Sequence, residues 1–165
     1  MRNDVNLGIT KSLNRGLAAA RGKLVAIQDH DDVSHAKRLN QQVAFMSANP
    51  AVALAGTQAR IVNGQGRVCW RPGWWRSLSH KAIRFQSMLD NPFLHPTVIF
   101  RRDVICDEFG GYNEAYITAH DYDLISRVAA RRVVGNLPDT LVDYRVHESS
   151  MGKRYAGQHL ALSAS

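Results

Sequence analysis

The sequence predicts an α/β domain, and three observations point to it. Helical and extended patterns alternate along the first third of the chain. A short apolar run, Leu24-Val25-Ala26-Ile27, leads into three carboxylates, Asp29, Asp31 and Asp32. The chain has 165 residues with 45% hydrophobic content, enough for one domain with a real core.

An apolar run with β-branched members reads as a strand buried on both faces, the kind found in sheets covered by helices. In such sheets ligands bind just beyond the carboxyl ends of the strands, where these acids fall. In an extended segment Asp29 and Asp31 point to the same side. Adjacent carboxylates repel unless a cation lies between them, and hard oxygen ligands select Mg²⁺ or Mn²⁺. On these residues alone two readings stay open. One is a metal–diphosphate site at a strand end; the other is a polar loop whose Asp32 or Ser34 caps the next helix.

The remaining elements follow in order. Ile9, Leu13, Leu17 and Ala20 form one stripe, predicting a helix over 8–21 that Gly22 stops. Ala36, Leu39, Val43 and Met46 recur at helical spacing and predict a helix over 34–49, ended by Asn49-Pro50. Val52 to Thr57 reads as a second apolar strand, completing a helix–strand–helix–strand series. Beyond it, Ala59–Val62 and Arg67–Trp70 flank Asn63-Gly64-Gln65-Gly66, a hairpin signal. Pro72, Gly73, Trp74 and Trp75 read as an aromatic loop left outside the site. A helix over 79–89 has Ser79 as its N-cap, and Asn91-Pro92 breaks it. Thr97–Phe100 reads as a strand, Gly110-Gly111 as a turn, and 121–130 as a helix with acids in its first turn. Val133–Leu137 and Thr140–Val146 read as two strands separated by Pro138.

Composition narrows the function. The formal net charge is +7, which favours anionic partners. The basic residues form no patterned helix or nucleic-acid motif, so a nucleic-acid partner is not expected. Cys69 and Cys106 have no metal-type spacing, as in a reduced, cytoplasmic protein. The polar start lacks a signal-peptide core, and no run is long enough to cross a membrane.

Several motifs carry a family resemblance. Asn6-Leu7-Gly8, Leu13-Asn14-Arg15-Gly16-Leu17-Ala18-Ala19-Ala20-Arg21-Gly22 and Asp29-His30-Asp31-Asp32 follow in series. After them come His95-Pro96-Thr97-Val98-Ile99-Phe100-Arg101-Arg102, Gly110-Gly111-Tyr112-Asn113-Glu114, Ala119-His120-Asp121-Tyr122-Asp123-Leu124 and Tyr144-Arg145-Val146-His147. Together they resemble a family 2 glycosyltransferase from about Asn6 to Ser150. The resemblance implies a GT-A-like mixed sheet flanked by helices and an inverting, nucleotide-sugar-dependent enzyme. It divides the chain into a partial domain over 1–150 and a tail over 151–165. The sequence is similar to a member that lacks the N-terminal strands binding the nucleoside, hence N-terminally truncated. An open sheet edge of that kind invites a homodimer. A second departure is His120-Asp121 where the family's pair reads Glu-Asp.

The resemblance also implies roles. Asp31 is expected as the direct ligand of Mg²⁺ or Mn²⁺. Asp29 places the ribose or shares the ion, and Asp32 caps or orients. His147 is a further metal ligand and Arg145 a phosphate contact. Asp121 is the general base for the acceptor hydroxyl; the alternative is a helix N-cap. His95 lines the acceptor side or simply makes a turn. The expected partners are a nucleoside-diphosphate sugar as donor and a saccharide or lipid-linked acceptor of cell-envelope polysaccharide synthesis, with peripheral association at the inner face of the membrane. The competing expectation is a catalytically incomplete fragment serving as a binding or interaction module.

Overall fold

The computed structural model describes residues 2–70 and 76–147. The aromatic loop with Trp74 and Trp75, and the tail from Glu148, lie outside the described residues. In chain order the elements are α1 (Ile9–Ala19), β1 (Leu24–Ala26), β2 (Val33–Ser34), α2 (Arg38–Ala48), β3 (Val52–Val62), β4 (Val68–Trp70), α3 (His80–Gln86), β5 (Ile99–Arg101), α4 (His120–Arg131) and β6 (Val133–Arg145). The strands form one mixed sheet in the order β1-β5-β3-β6-β2, with β4 also paired to β3. β3 and β6 run parallel; the other pairings are antiparallel.

Alternation along the strands splits the core into two layers. Leu54 and Phe100 face one side of the sheet with Leu17 of α1, Leu124, Ile125 and Val128 of α4, and Phe93. Ala55 and Ile99 face the other side, where Met46 and Phe45 of α2 pack with Leu137 and Leu141. The sheet is thus covered on both faces.

Several expectations change at this level. β1 is not buried on both faces: Leu24 and Val25 are half-buried and Ala26 is exposed. Among the described residues it pairs with β5 alone, at the sheet edge. β3 is one strand of 11 residues rather than two pieces. The hairpin after it forms, but Gly66 supplies the positive φ of 79°, not Gly64. The Asn63 carboxamide accepts from the backbone of Gln65 and Arg67 and closes the turn. Pro138 does not break the last strand. Gly56 pairs with Asn136 and Gln58 with Thr140, so β6 advances four residues while β3 advances two. That bulge takes Pro138, which cannot donate to a ladder.

α2 buries a different face from the one expected. Leu39 is 56% exposed and Val43 44%, while Arg38, Gln42 and Met46 are buried. The reason is hydrogen bonding. Arg38 donates to the Ile27 carbonyl (2.7 Å), to Gln28 Oε1 (2.8 Å) and to Gln42 Oε1 (3.0 Å). Gln42 in turn donates to the Thr97 carbonyl (2.8 Å). Two polar side chains satisfy strand-end groups that apolar ones would leave unpaired. Neither Asp32 nor Ser34 caps α2, which begins after Lys37.

Gly56 is fixed by contact rather than by backbone angle. A Cβ there would lie 2.3 Å from Asn136 Oδ1 and 2.5 Å from Phe93 Cδ1. Gly56→Ala is expected to lower stability by about 2–3 kcal/mol, as overpacking does, read by chemical denaturation. A loss below about 0.5 kcal/mol would show that β3 and β6 move apart freely.

Candidate functional site

The acids after β1 do not stay extended. The Asp32 N–H donates to the Asp29 carbonyl, and residues 30–32 turn back toward β2. The turn, not strand alternation, therefore sets the directions of Asp29 and Asp31. Burial and the charge of Asp31 push the Asp29 carboxyl above its ordinary range, and Asp121 adds to the push. Burial raises Asp32 further, to about 6, against the hydrogen bond from Arg145. One oxygen of Asp32 accepts the Arg145 backbone N–H (2.7 Å) while the other is buried without a partner. Burial and mutual repulsion thus outweigh the attraction of Arg38 and Arg145 at these acids.

Two expected residues arrive from the far end of the chain. His147 Nε2 lies 3.0 Å from Asp31 Oδ2. Arg145 reaches the Asp31 carbonyl through Nε (2.8 Å) and the carbonyls of Asn63 and Gly64 through Nη1 (3.0 and 3.1 Å). Arg145 thereby ties the acid turn to the β3–β4 hairpin. Among the described residues, no group of three or more His, Cys, Asp and Glu side chains is arranged to hold a metal unaided.

Asp121 lies in the first turn of α4, but it does not cap the helix. The N-cap is Ala119, with no side-chain cap bond. Asp121 Oδ2 instead accepts from Asn91 Nδ2 (2.8 Å). Ala119 has φ 57°, the one positive φ outside glycine among the described residues. Such a conformation costs of order 1 kcal/mol and persists where the surroundings enforce it. It delivers His120 to the interior and Asp121 toward Asn91.

His120 stacks edge-on against His95 (5.4 Å between ring centres) and Tyr112 (5.9 Å). His95 Nε2 is 2.8 Å from the Tyr112 hydroxyl. Both nitrogens of His120 are buried without a hydrogen-bond partner among the described residues. Burial pushes His95 down to about 4 and lowers His120, so neither carries charge at neutral pH. Burial also raises the Tyr112 hydroxyl, and the charges of Asp121 and Asp29 both add to it. Tyr112 thus feels the acid turn and Asp121 together.

The glycosyl transferase family 2 profile matches residues 1–110. The chain belongs to this family. It is 32% identical over 154 residues to the amylovoran biosynthesis glycosyltransferase AmsE of Erwinia amylovora, covering 90% of this chain and 54% of the relative. It is 30% identical over 148 residues to the O-antigen biosynthesis glycosyltransferase WbnJ of Escherichia coli, covering 86% and 55%. The chain spans about half the length of the curated relatives it matches. Among solved structures it resembles S. aureus TarS 1-349 in complex with UDP, with a TM-score of 0.66, 21% identity, and coverage of 93% of this chain and 44% of that one. The complex of the same protein with UDP-GlcNAc gives 0.65, at 20% identity and 87% and 40% coverage. That likeness is one of fold: the mixed sheet is GT-A-like.

Family motifs that looked separate in the sequence turn out to hold one another. Asn14 of α1 accepts from the Tyr112 N–H (2.9 Å) and donates to the Tyr112 carbonyl (2.8 Å). Arg127 of α4 donates to the carbonyls of Phe109 and Gly111 and pairs with Asp123. The Gly110-Gly111 turn, with φ of 68° and 75°, is thus gripped from both helices. Residue-by-residue reading missed Asn91, Arg38 and Tyr112. Asn91 before Pro92 reads as a helix breaker, and a buried Arg on an amphipathic helix gives no periodic signal. Tyr112 was visible only as part of a motif.

The raised Asp32 pKa has a consequence for stability. The native state holds its proton to higher pH than the unfolded chain does, so this contribution is present below the ordinary carboxylate range and is lost as pH rises through about 6. Asp32→Asn should therefore raise the melting temperature of the metal-free chain at pH 7.5 and leave it nearly unchanged at pH 4. Equal shifts at both pH values would remove Asp32 as the strained group.

Proposed function

We propose that this chain carries the transfer centre of an inverting glycosyltransferase that moves a sugar from a nucleoside diphosphate to an acceptor hydroxyl. The observation that carries the reading is electrostatic. The charge of Asp121, at the head of α4, adds to the proton affinity of Asp29, in the turn after β1, and Tyr112 and Tyr144 each sense both carboxylates. Acids from two distant segments of the chain thus act on the same neighbourhood. TarS, whose fold this chain shares, has been crystallised with UDP and with UDP-GlcNAc, which supports a nucleotide-sugar donor.

The residues fit a divalent cation. Asp31 and His147 already touch, and Asp29 and Asp32 beside them are held above their ordinary range by burial and by neighbouring carboxylates. Mg²⁺ and Mn²⁺ sites use one or two carboxylates and fill the rest of the shell with phosphate oxygens and water, so a third protein acid is not required. Asp31, His147 and Asp29 would hold the ion, which supplies charge neutralisation for the leaving diphosphate. Arg145 adds fixed positive charge beside the turn. On the acceptor side, Asn91 holds one carboxylate oxygen of Asp121, orienting the other. Asp121 takes the proton from the acceptor hydroxyl as its oxygen bonds to the anomeric carbon. The bond from that carbon to the diphosphate oxygen breaks with its electron pair, on the opposite face, so the configuration inverts. His95, Tyr112 and His120 wall the base with neutral groups and exclude bulk water. A saccharide or lipid-linked sugar is the acceptor class we favour.

Calorimetric titration with UDP, GDP and TDP in the presence of MnCl₂ tests the donor side. One of them should release heat, and Asp31→Asn should abolish the manganese-dependent part. Asp121→Asn should keep that heat and lower transfer by about 10²–10⁴-fold. Absence of heat with every nucleotide would favour an interaction module that retains the fold alone.

A further inference from the structure

An exposed stripe runs along α3 and the turns that continue it. Backbone bonds carry the helical path beyond Gln86: Ser87 donates to Ile83, Met88 to Phe85, and Leu89 and Asp90 to Gln86. On that path Lys81, Arg84, Phe85, Met88 and Leu89 fall at helical spacing on one face. Phe85 is 66% exposed, Met88 71% and Leu89 76%, and Lys81 and Arg84 are exposed beside them. The opposite face is anchored, since Ile83 is fully buried and the Tyr122 hydroxyl donates to the Ser87 carbonyl (2.6 Å). The outward direction of the stripe is therefore fixed. The acid that follows it, Asp90, is paired with Arg76 at 3.5 Å and leaves the two cations dominant.

We propose that this stripe docks the chain on an anionic lipid bilayer. Apolar side chains flanked by cations match the boundary between acyl chains and acidic headgroups. A protein partner fits less well. Three apolar side chains cannot supply the roughly 800 Å² per partner of a standard protein interface, and lysine is depleted from such interfaces. The chain's +7 formal charge adds long-range attraction to the same surface. No helix among the described residues is long and apolar enough to cross a membrane, so the contact is interfacial. The stripe ends two residues before Asn91, which holds Asp121. Docking would set that carboxylate at headgroup depth, where the hydroxyls of a lipid-linked sugar lie. This last point rests on the reading of Asp121 as the base; the docking does not.

The test is flotation of the chain with vesicles of phosphatidylcholine, alone or with about 30% phosphatidylglycerol. The expected result is binding to the anionic vesicles only, weakened by added salt. Lys81→Gln and Arg84→Gln should each lower partitioning about fivefold. The pair Met88→Ser and Leu89→Ser should lower it about tenfold or more, with an unchanged melting temperature because both sites are exposed. Equal binding to neutral vesicles, unaltered binding of the variants, or a change of oligomeric state instead of flotation would overturn the proposal. Nucleotide binding in free solution should be the same for all these variants. Its loss in the parent chain would count against sugar transfer and leave the docking standing.

Discussion

The guanidinium of Arg38 is buried where β1 ends and α2 begins, and the acid turn is built around it. It donates to the Ile27 carbonyl, to the side chains of Gln28 and Ser34, and to Gln42. No carboxylate touches it, yet the charges of Asp29 and Asp32 partly offset the cost of its burial. A buried cation without a paired anion is expensive unless every donor is used. Here each guanidinium nitrogen donates, and the charge remains as a field beneath the acids. The turn is thus held from below while burial keeps Asp29 and Asp32 above their ordinary range.

The same economy governs the far wall. Asn14 and Arg127 fix the glycine turn, the turn places Tyr112, and Tyr112 holds His95 beside His120. Each contact is a hydrogen bond or ring contact between elements far apart in sequence. The wall around Asp121 is therefore neutral and rigid, and the turn facing it is charged. Burial separates the two behaviours: it removes charge from the histidines and raises the affinity of the aspartates for a proton or a cation.

Much of this was legible in the residues. The alternation of helix and strand marks α1, β1, α2 and β3, and the run of motifs carries the family resemblance. What was not legible has particular causes. Leu39 and Val43 mark a helical stripe as well as any core residues do, and only the hydrogen-bonding demand of Ile27 and Thr97 turns Arg38 and Gln42 inward instead. Pro138 reads as a break because the bulge that absorbs it depends on the partner strand. The position of β1 at the sheet edge follows from pairing, which local pattern does not encode. The contact between Asn91 and Asp121 joins a loop to a helix start that carry no mark of each other.

The bond between Asp31 and His147 spans 116 positions of the chain. It cannot form until β6 has aligned with β3 along most of their length. Non-local pairing of this kind is slow, because chain entropy is lost before the contacts repay it. A partly folded molecule in which β6 is still unpaired has the acidic turn without its histidine. The two motifs meet only once β6 is in place.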